Sequence, residues 1–124
     1  MALTDAAISH ALMAARALRG EPVTIARGGV SVSITAIPLD QKDDAETAHE
    51  LIQTRGMRDW GLYVPDLVFP DGSGPEFPER LWTLTHAENG ATVTYTILPT
   101  SGSDDIHERM TPDETWIRVH TKRT

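Results

Sequence analysis

The stretch from Val23 to Ile37, VTIARGGVSVSITAI, admits few structures other than a β-hairpin. Val23 and Ile25 alternate with Thr24 and Ala26 on one side, and Val30, Val32, Ile34 and Ala36 alternate with Ser31, Ser33 and Thr35 on the other. Period two is the mark of a half-buried strand. Arg27-Gly28-Gly29 lies between the arms, and a glycine pair supplies the positive φ that tight hairpin turns demand. A one-residue slip would turn every valine to solvent, so register is set early in the chain.

A second hairpin is signalled by Leu81 to His86 and Ala91 to Leu98 around Glu88-Asn89-Gly90, since Asn-Gly between alternating segments favours a tight turn. Glu50 to Thr54 and Trp60 to Val64 read as short strands joined through Gly56 and expected to pair, with Trp60, Leu62 and Val64 turned to the core. The last strand, Thr115 to Thr121, sets Ile117 and Val119 against Trp116, Arg118 and His120, a polar and aromatic face that suits an exposed or interface edge. Ahead of all of these, Thr4 to Arg19 reads as a helix with Ile8, Ala11, Leu12, Ala15 and Leu18 on one stripe. Thr4 can cap it, Arg16 and Arg19 suit the negative end of its dipole, and Gly20 and Pro22 stop it. Such a helix packs either on its own sheet or on a neighbouring subunit. The expected fold class is mainly β: a single domain over residues 1–124, a small antiparallel β-barrel or sandwich of about six strands with one N-terminal α-helix.

Three connections are long for a chain of this size. Pro38 to His49 carries Asp40, Asp43, Asp44 and Glu46 against Lys42; Leu67 to Arg80 is broken by Pro70, Pro75, Pro78, Gly72 and Gly74; residues 99–114 gather Asp104, Asp105, His107 and Glu108. All three read as solvated acidic loops. Adjacent Asp43 and Asp44 diverge and no calcium-loop spacing follows, so neither a metal nor a cofactor is expected.

The chain has a formal charge of -7 and only two lysines, Lys42 and Lys122, which argues against tight binding to a phosphate backbone. It has no cysteine, which excludes disulfides, thiolate metal sites and cysteine nucleophiles. No run approaches the length of a membrane span and no signal-peptide pattern opens the chain, so a soluble, untargeted protein is expected. His10, His49, His86, His107 and His120 are scattered singly and read as surface residues, and Ser101 and Ser103 lack a nucleophile-elbow pattern. No enzyme activity is expected.

A short helix, VTIARGGVSVSITA, an acidic connection, RDWGLYVPDLVFPDG, LWTLTHAENGATVTYTILP and a terminal TWIRVHTK, in that order, resemble head-tail joining proteins of tailed phages and prophages, and among them the stopper or head-closure class. The resemblance runs from about Asp5 to Lys122 and rests on strand patterns and turns; where related proteins carry a Gly-Asp pair before the second hairpin, this chain has Pro78-Glu79-Arg80. It implies a non-enzymatic neck protein of the virion, assembled in the host cytoplasm as a homo-oligomeric ring of six- or twelve-fold symmetry. Its partners would be a portal adaptor above and a tail terminator or tail tube below, with packaged DNA met only in the lumen and no membrane contact. The loop holding Asp40, Lys42, Asp43, Asp44 and Glu46 would be the channel or plug loop, and Leu12, Arg16, Arg19, Trp116, Arg118 and His120 would serve the subunit interface. A tail-terminator or tail-completion ring is the neighbouring reading. A small barrel binding single-stranded nucleic acid as OB-folds do, through Trp82, Tyr95 and Trp116, is the reading of another class.

Overall fold

In the computed structural model, residues 5–39, 57–99 and 105–124 are described. Helix α1 (Asp5–Arg19) is followed by β1 (Glu21–Arg27) and β2 (Val30–Leu39), which form the first hairpin in the expected register, Val23 opposite Ile34 and Ile25 opposite Val32. Of its two turn residues only Gly28 has positive φ, the type II′ pattern. Strand β3 (Met57–Tyr63) runs into a 3₁₀ turn at Val64–Asp66. The second hairpin, β4 (Thr83–Glu88) and β5 (Ala91–Leu98), turns at Asn89 and Gly90, both left-handed, as a type I′ turn requires. A short β6 (His107–Arg109) and a long β7 (Trp116–Arg123) complete the chain.

Pairing runs β1–β2–β3–β7–β5–β4 and back to β1, all antiparallel, so six strands close into a barrel and β6 is added outside the circuit. Inside lie Ile25, Trp60, Leu62, Leu84, Ile97, Ile117 and Val119, each fully buried. Burying a side chain of this size is worth about 1.5–3 kcal/mol, and this shared interior is what holds the small barrel shut.

Both acidic connections within the described residues do more than the sequence suggests. In the segment from Leu67 to Arg80, Leu67 and Phe69 are buried and plug the lower end of the barrel, with Phe69 edge-on to Trp82 at 5.2 Å. Arg27 straps the segment down: its guanidinium meets Asp71 at 2.5 Å and Glu76 at 2.9 Å and lies 4.4 Å from the Phe69 ring centre. The described part of 99–114 holds β6, hydrogen-bonded to β7, and a buried Thr111 whose hydroxyl donates to Asp113 and accepts from the Thr115 and Trp116 amides. The proposed strand Glu50–Thr54 and the cap at Thr4 lie outside the described residues, and so does the loop from Asp40 onward. Pro38 and Leu39 belong to β2. The partners of β3 among the described residues are β2 and β7.

The final strand is no edge. One side of β7 is paired along Trp116–Lys122 by β3, and the other is shared by β6 and β5. A long open edge belongs instead to β2, which meets β3 only at Ile37–Leu39 and leaves Val30–Ala36 without a second strand partner among the described residues. Helix α1 lies along this edge, leaving a groove of about 650 Å³ lined by Met13, Arg16, Ala17, Ser33 and Thr35. Covering an exposed edge with a helix blocks strand addition there. The close approach requires Gly20: a Cβ at that position would lie 2.4 Å from the Arg16 carbonyl oxygen and 2.6 Å from Thr35 Cγ2. The helix is rotated from the expected stripe. Ile8, Ser9, Leu12, Met13, Ala15 and Arg16 are half-buried, whereas Ala11 is exposed and Leu18 is 85% exposed.

Candidate functional site at the mouth of the barrel

The upper end of the barrel is where β2 ends at Leu39 and β3 begins at Met57, so the two residues that flank the acidic segment both lie on this rim. The side chains beneath the rim are charged. Glu21 shares the inward parity of Val23 and Ile25, and His86 that of Leu84, so alternation carries both into the mouth. His86 is buried between two carboxylates, with Nε2 against Glu21 and Nδ1 3.1 Å from Glu88. A neutral imidazole donates to one of the two and an imidazolium to both. Tyr95 donates its hydroxyl to Glu88 at 2.6 Å, and Arg58 lies 3.8 Å from the same carboxylate. Trp60 packs edge-on to His86 at 5.2 Å and to Tyr95 at 6.0 Å, and carries Arg58 over its ring at 5.6 Å.

Burial acts to raise the Glu88 carboxyl, but hydrogen bonds from Tyr95 and His86 and the charge of Arg58 outweigh it and hold the group below its ordinary value. Burial, then the bond to Glu88, pushes the Tyr95 phenol up. Tyr95 is therefore a fixed neutral donor and Glu88 a fixed anion. The arrangement locks four strands, β1, β3, β4 and β5, to one another at the rim.

The residues named from sequence are divided by the structure. Asp40, Lys42, Asp43, Asp44 and Glu46 lie outside the described residues; their anchors, Leu39 and Met57, are at this mouth. Of the interface set, Arg16 turns inward, 2.6 Å from Asp66 and over the rings of Tyr63 and Trp116 at 5.2 and 5.8 Å. Trp116 is fully buried, with Nε1 donating to the Ser9 hydroxyl at 3.2 Å, so it offers no surface to a neighbour. Arg118 and His120 both bond Asp59, at 2.6 Å each, on the outer face of β3 and β7. Leu12 is half-buried under the helix and Arg19 is exposed. The histidines are not all surface groups: His86 is 6% exposed, and His107 is tied to Glu114 at 2.9 Å beneath a stacked Phe77 ring. Trp82, Tyr95 and Trp116 are all buried, so none of the three presents a ring face to a base. Glu21, Arg58 and Asp59 had no assigned role in the sequence reading, and Glu88, read as part of the turn, is the last residue of β4; strand parity was the signal for Glu21.

Together these features define a small closed antiparallel barrel with one end plugged by apolar side chains and the other braced by ion pairs. Comparison with family models, with curated proteins and with solved structures finds no match. Among the described residues no helix is long and apolar enough to cross a membrane.

Proposed function

We propose that the chain is a structural, non-enzymatic subunit of a virion neck: a ring-forming head-tail connector of the stopper type that closes the filled head and offers the tail its attachment surface. The observation that carries this reading is where the acidic connection starts and ends. Its ends, Leu39 and Met57, both sit in paired strands at one rim, and that rim is braced by Glu21, Arg58, His86, Glu88 and Tyr95. A connection that starts and ends at these two residues leaves from and returns to one braced end of the barrel, which is what a plug loop holding Asp40 to Glu46 would need to reach a central channel. Asp40, Asp43, Asp44 and Glu46 against Lys42 disfavour adhesion to DNA, so retention of packaged DNA would be steric. A portal adaptor above and a tail terminator or tail tube below are the expected partners.

The test is electron microscopy of particles from cells expressing the surrounding gene cluster with this chain deleted, or complemented with a tagged copy. Heads that lose DNA and lack tails, with the tag at the neck on complementation, support the stopper. A tag at the far end of free tails would assign a tail terminator instead, and normal tailed particles without a tag would remove both. Deleting Asp40 to Glu46 should release DNA from otherwise assembled necks; retention unchanged by that deletion would refute the plug assignment.

A further inference from the structure

Asn89 is the only asparagine in the chain, and a glycine follows it. The pair forms the two-residue turn between β4 and β5, both residues exposed and both at positive φ, 50° and 82°. An Asn-Gly bond has a chemistry of its own, because an unshielded glycine nitrogen can attack the side-chain carbonyl carbon before it. Three features leave this turn unshielded. The last rung of the hairpin sets Glu88 opposite Ala91, so the Gly90 amide lies outside the ladder. A Cβ built on Gly90 would meet no atom of the described residues within 4 Å, so there is room for a ring. The turn is also the tip of a hairpin, where the chain opens locally without unfolding the barrel.

The other pair of this kind, Asp71-Gly72, is protected on each count. The Gly72 amide donates to the Phe69 carbonyl at 2.9 Å, and a Cβ on Gly72 would lie 3.0 Å from Glu76 Oε2. Arg27 bonds Asp71 and holds its carboxyl below the ordinary range, and a carboxylate is a poor electrophile. The fold therefore shields one site and presents the other.

We propose that Asn89 is a site of spontaneous covalent modification, at which the folded chain cyclises to a succinimide and reopens as aspartate and isoaspartate. The Gly90 nitrogen gives its proton to solvent base and bonds to Asn89 Cγ. The Cγ–Nδ2 bond breaks, Nδ2 takes up a proton, and ammonia leaves. Water then opens the ring: attack at Cγ gives aspartate with the normal backbone, and attack at the main-chain carbonyl carbon leaves the chain linked through Cγ. One water enters and one ammonia departs, with no oxidant or cofactor.

Either product adds one negative charge to a chain of -7, directly beside Glu88. Isoaspartate also inserts a methylene into the backbone, which a turn of two left-handed residues does not accommodate. Glu88 is the carboxylate on which His86, Tyr95 and Arg58 converge, so modification at the tip loosens the rim. The site is independent of the neck reading.

The purified full-length chain, kept folded at mildly alkaline pH, is sampled over days by peptide mass spectrometry that separates aspartyl from isoaspartyl products. Asn89 should convert to both, at a rate unchanged by urea too dilute to unfold the chain, while Asp71 stays normally linked. Gly90→Ala should slow conversion by about tenfold or more, since a Cβ shields the nitrogen. Aged wild type should lose hydrogen-exchange protection at Glu88, whereas Asn89→Gly, which keeps the turn and removes the amide, should age without that loss. Asn89 intact after the urea-unfolded chain has converted, conversion that climbs steeply with dilute urea, or isomerisation of Asp71 at an equal rate would each overturn the proposal.

Discussion

Tyr95→Phe removes one oxygen and isolates one link of the mouth. The phenol gives its proton to Glu88 at 2.6 Å, and Glu88 is a carboxylate of which 21% of the side chain is exposed. Hydrogen bonds to charged groups contribute about 1.5–3 kcal/mol, and the remaining partners of Glu88, His86 and Arg58, soften the loss, so a destabilisation of about 1.5–2 kcal/mol is expected near neutral pH. An unfolding entropy of about 2.1 cal/mol/K per residue over 124 residues converts this to a Tm lower by about 6–8 °C. The pH dependence follows from the depressed Glu88 carboxyl. A group whose folded value lies below its unfolded one contributes stability above the unfolded value and loses it as pH falls through the folded one. The gap between wild type and Tyr95→Phe should therefore hold through the neutral range and shrink below the ordinary carboxylate range, where Glu88 protonates and the bond becomes neutral. Denaturant melts of both proteins at several pH values provide the measurement. Equal stability at neutral pH, or a gap that does not change into acid, would refute the description of this link as charge-assisted.

The other perturbations probe the remaining devices separately. Gly20→Val forces a side chain between the Arg16 carbonyl and Thr35, and should cost about 1–3 kcal/mol in a chemical melt while leaving the far-UV β signal in place. Phe69→Ala empties the apolar plug and should cost about 3–5 kcal/mol, whereas Arg27→Met should lower Tm less and appear chiefly as faster proteolysis between Pro70 and Pro78. Leu81 holds φ at +73° while 66% exposed, so Leu81→Gly should match or exceed wild-type stability, by up to about 1 kcal/mol, the reverse of the usual result for a large apolar residue. Asp59→Asn withdraws the charge shared by Arg118 and His120 and should cost about 3 kcal/mol.

Alternation made the two hairpins legible, because each has a turn whose residues agree with its arms: Gly28 in the first, Asn89-Gly90 in the second. The same period carried information that was not used. His86 stands two residues from Leu84, and that parity places it inside; reading the histidines one by one hid it. Leu18 misled for the opposite reason. The helix docks with Ile8, Leu12 and Ala15 half-buried as the period requires, but Ser9 and Arg16, bonded to Trp116 and Asp66, share that side and turn it away from Ala11 and Leu18, which no hydrophobic period could show. Strand β6 has no pattern of its own at three residues and exists because β7 offers it an edge. Leu67 and Phe69 were masked by the prolines, glycines and acids around them, since average polarity says nothing about two side chains that turn inward.

The two ends of the barrel are held by different physics, and that difference has consequences for a protein whose acidic segment leaves from one of them. The lower end is closed by Leu67, Phe69 and Trp82, contacts that are indifferent to pH and strengthened by salts that favour burial. The upper end is closed by Glu21, His86, Glu88, Arg58 and Tyr95, where protonation of Glu88 takes the charge out of its bonds and salt screens the more exposed pair of Arg58 and Glu88. Acid should therefore loosen the rim before the core. In native-state hydrogen exchange the amides of Leu39, Arg58 and Glu88 would lose protection at a pH where those of Ile25 and Ile97 keep theirs. Simultaneous loss at both ends would mean that the rim and the core are one cooperative unit and that the ion pairs do not set the mouth's stability on their own.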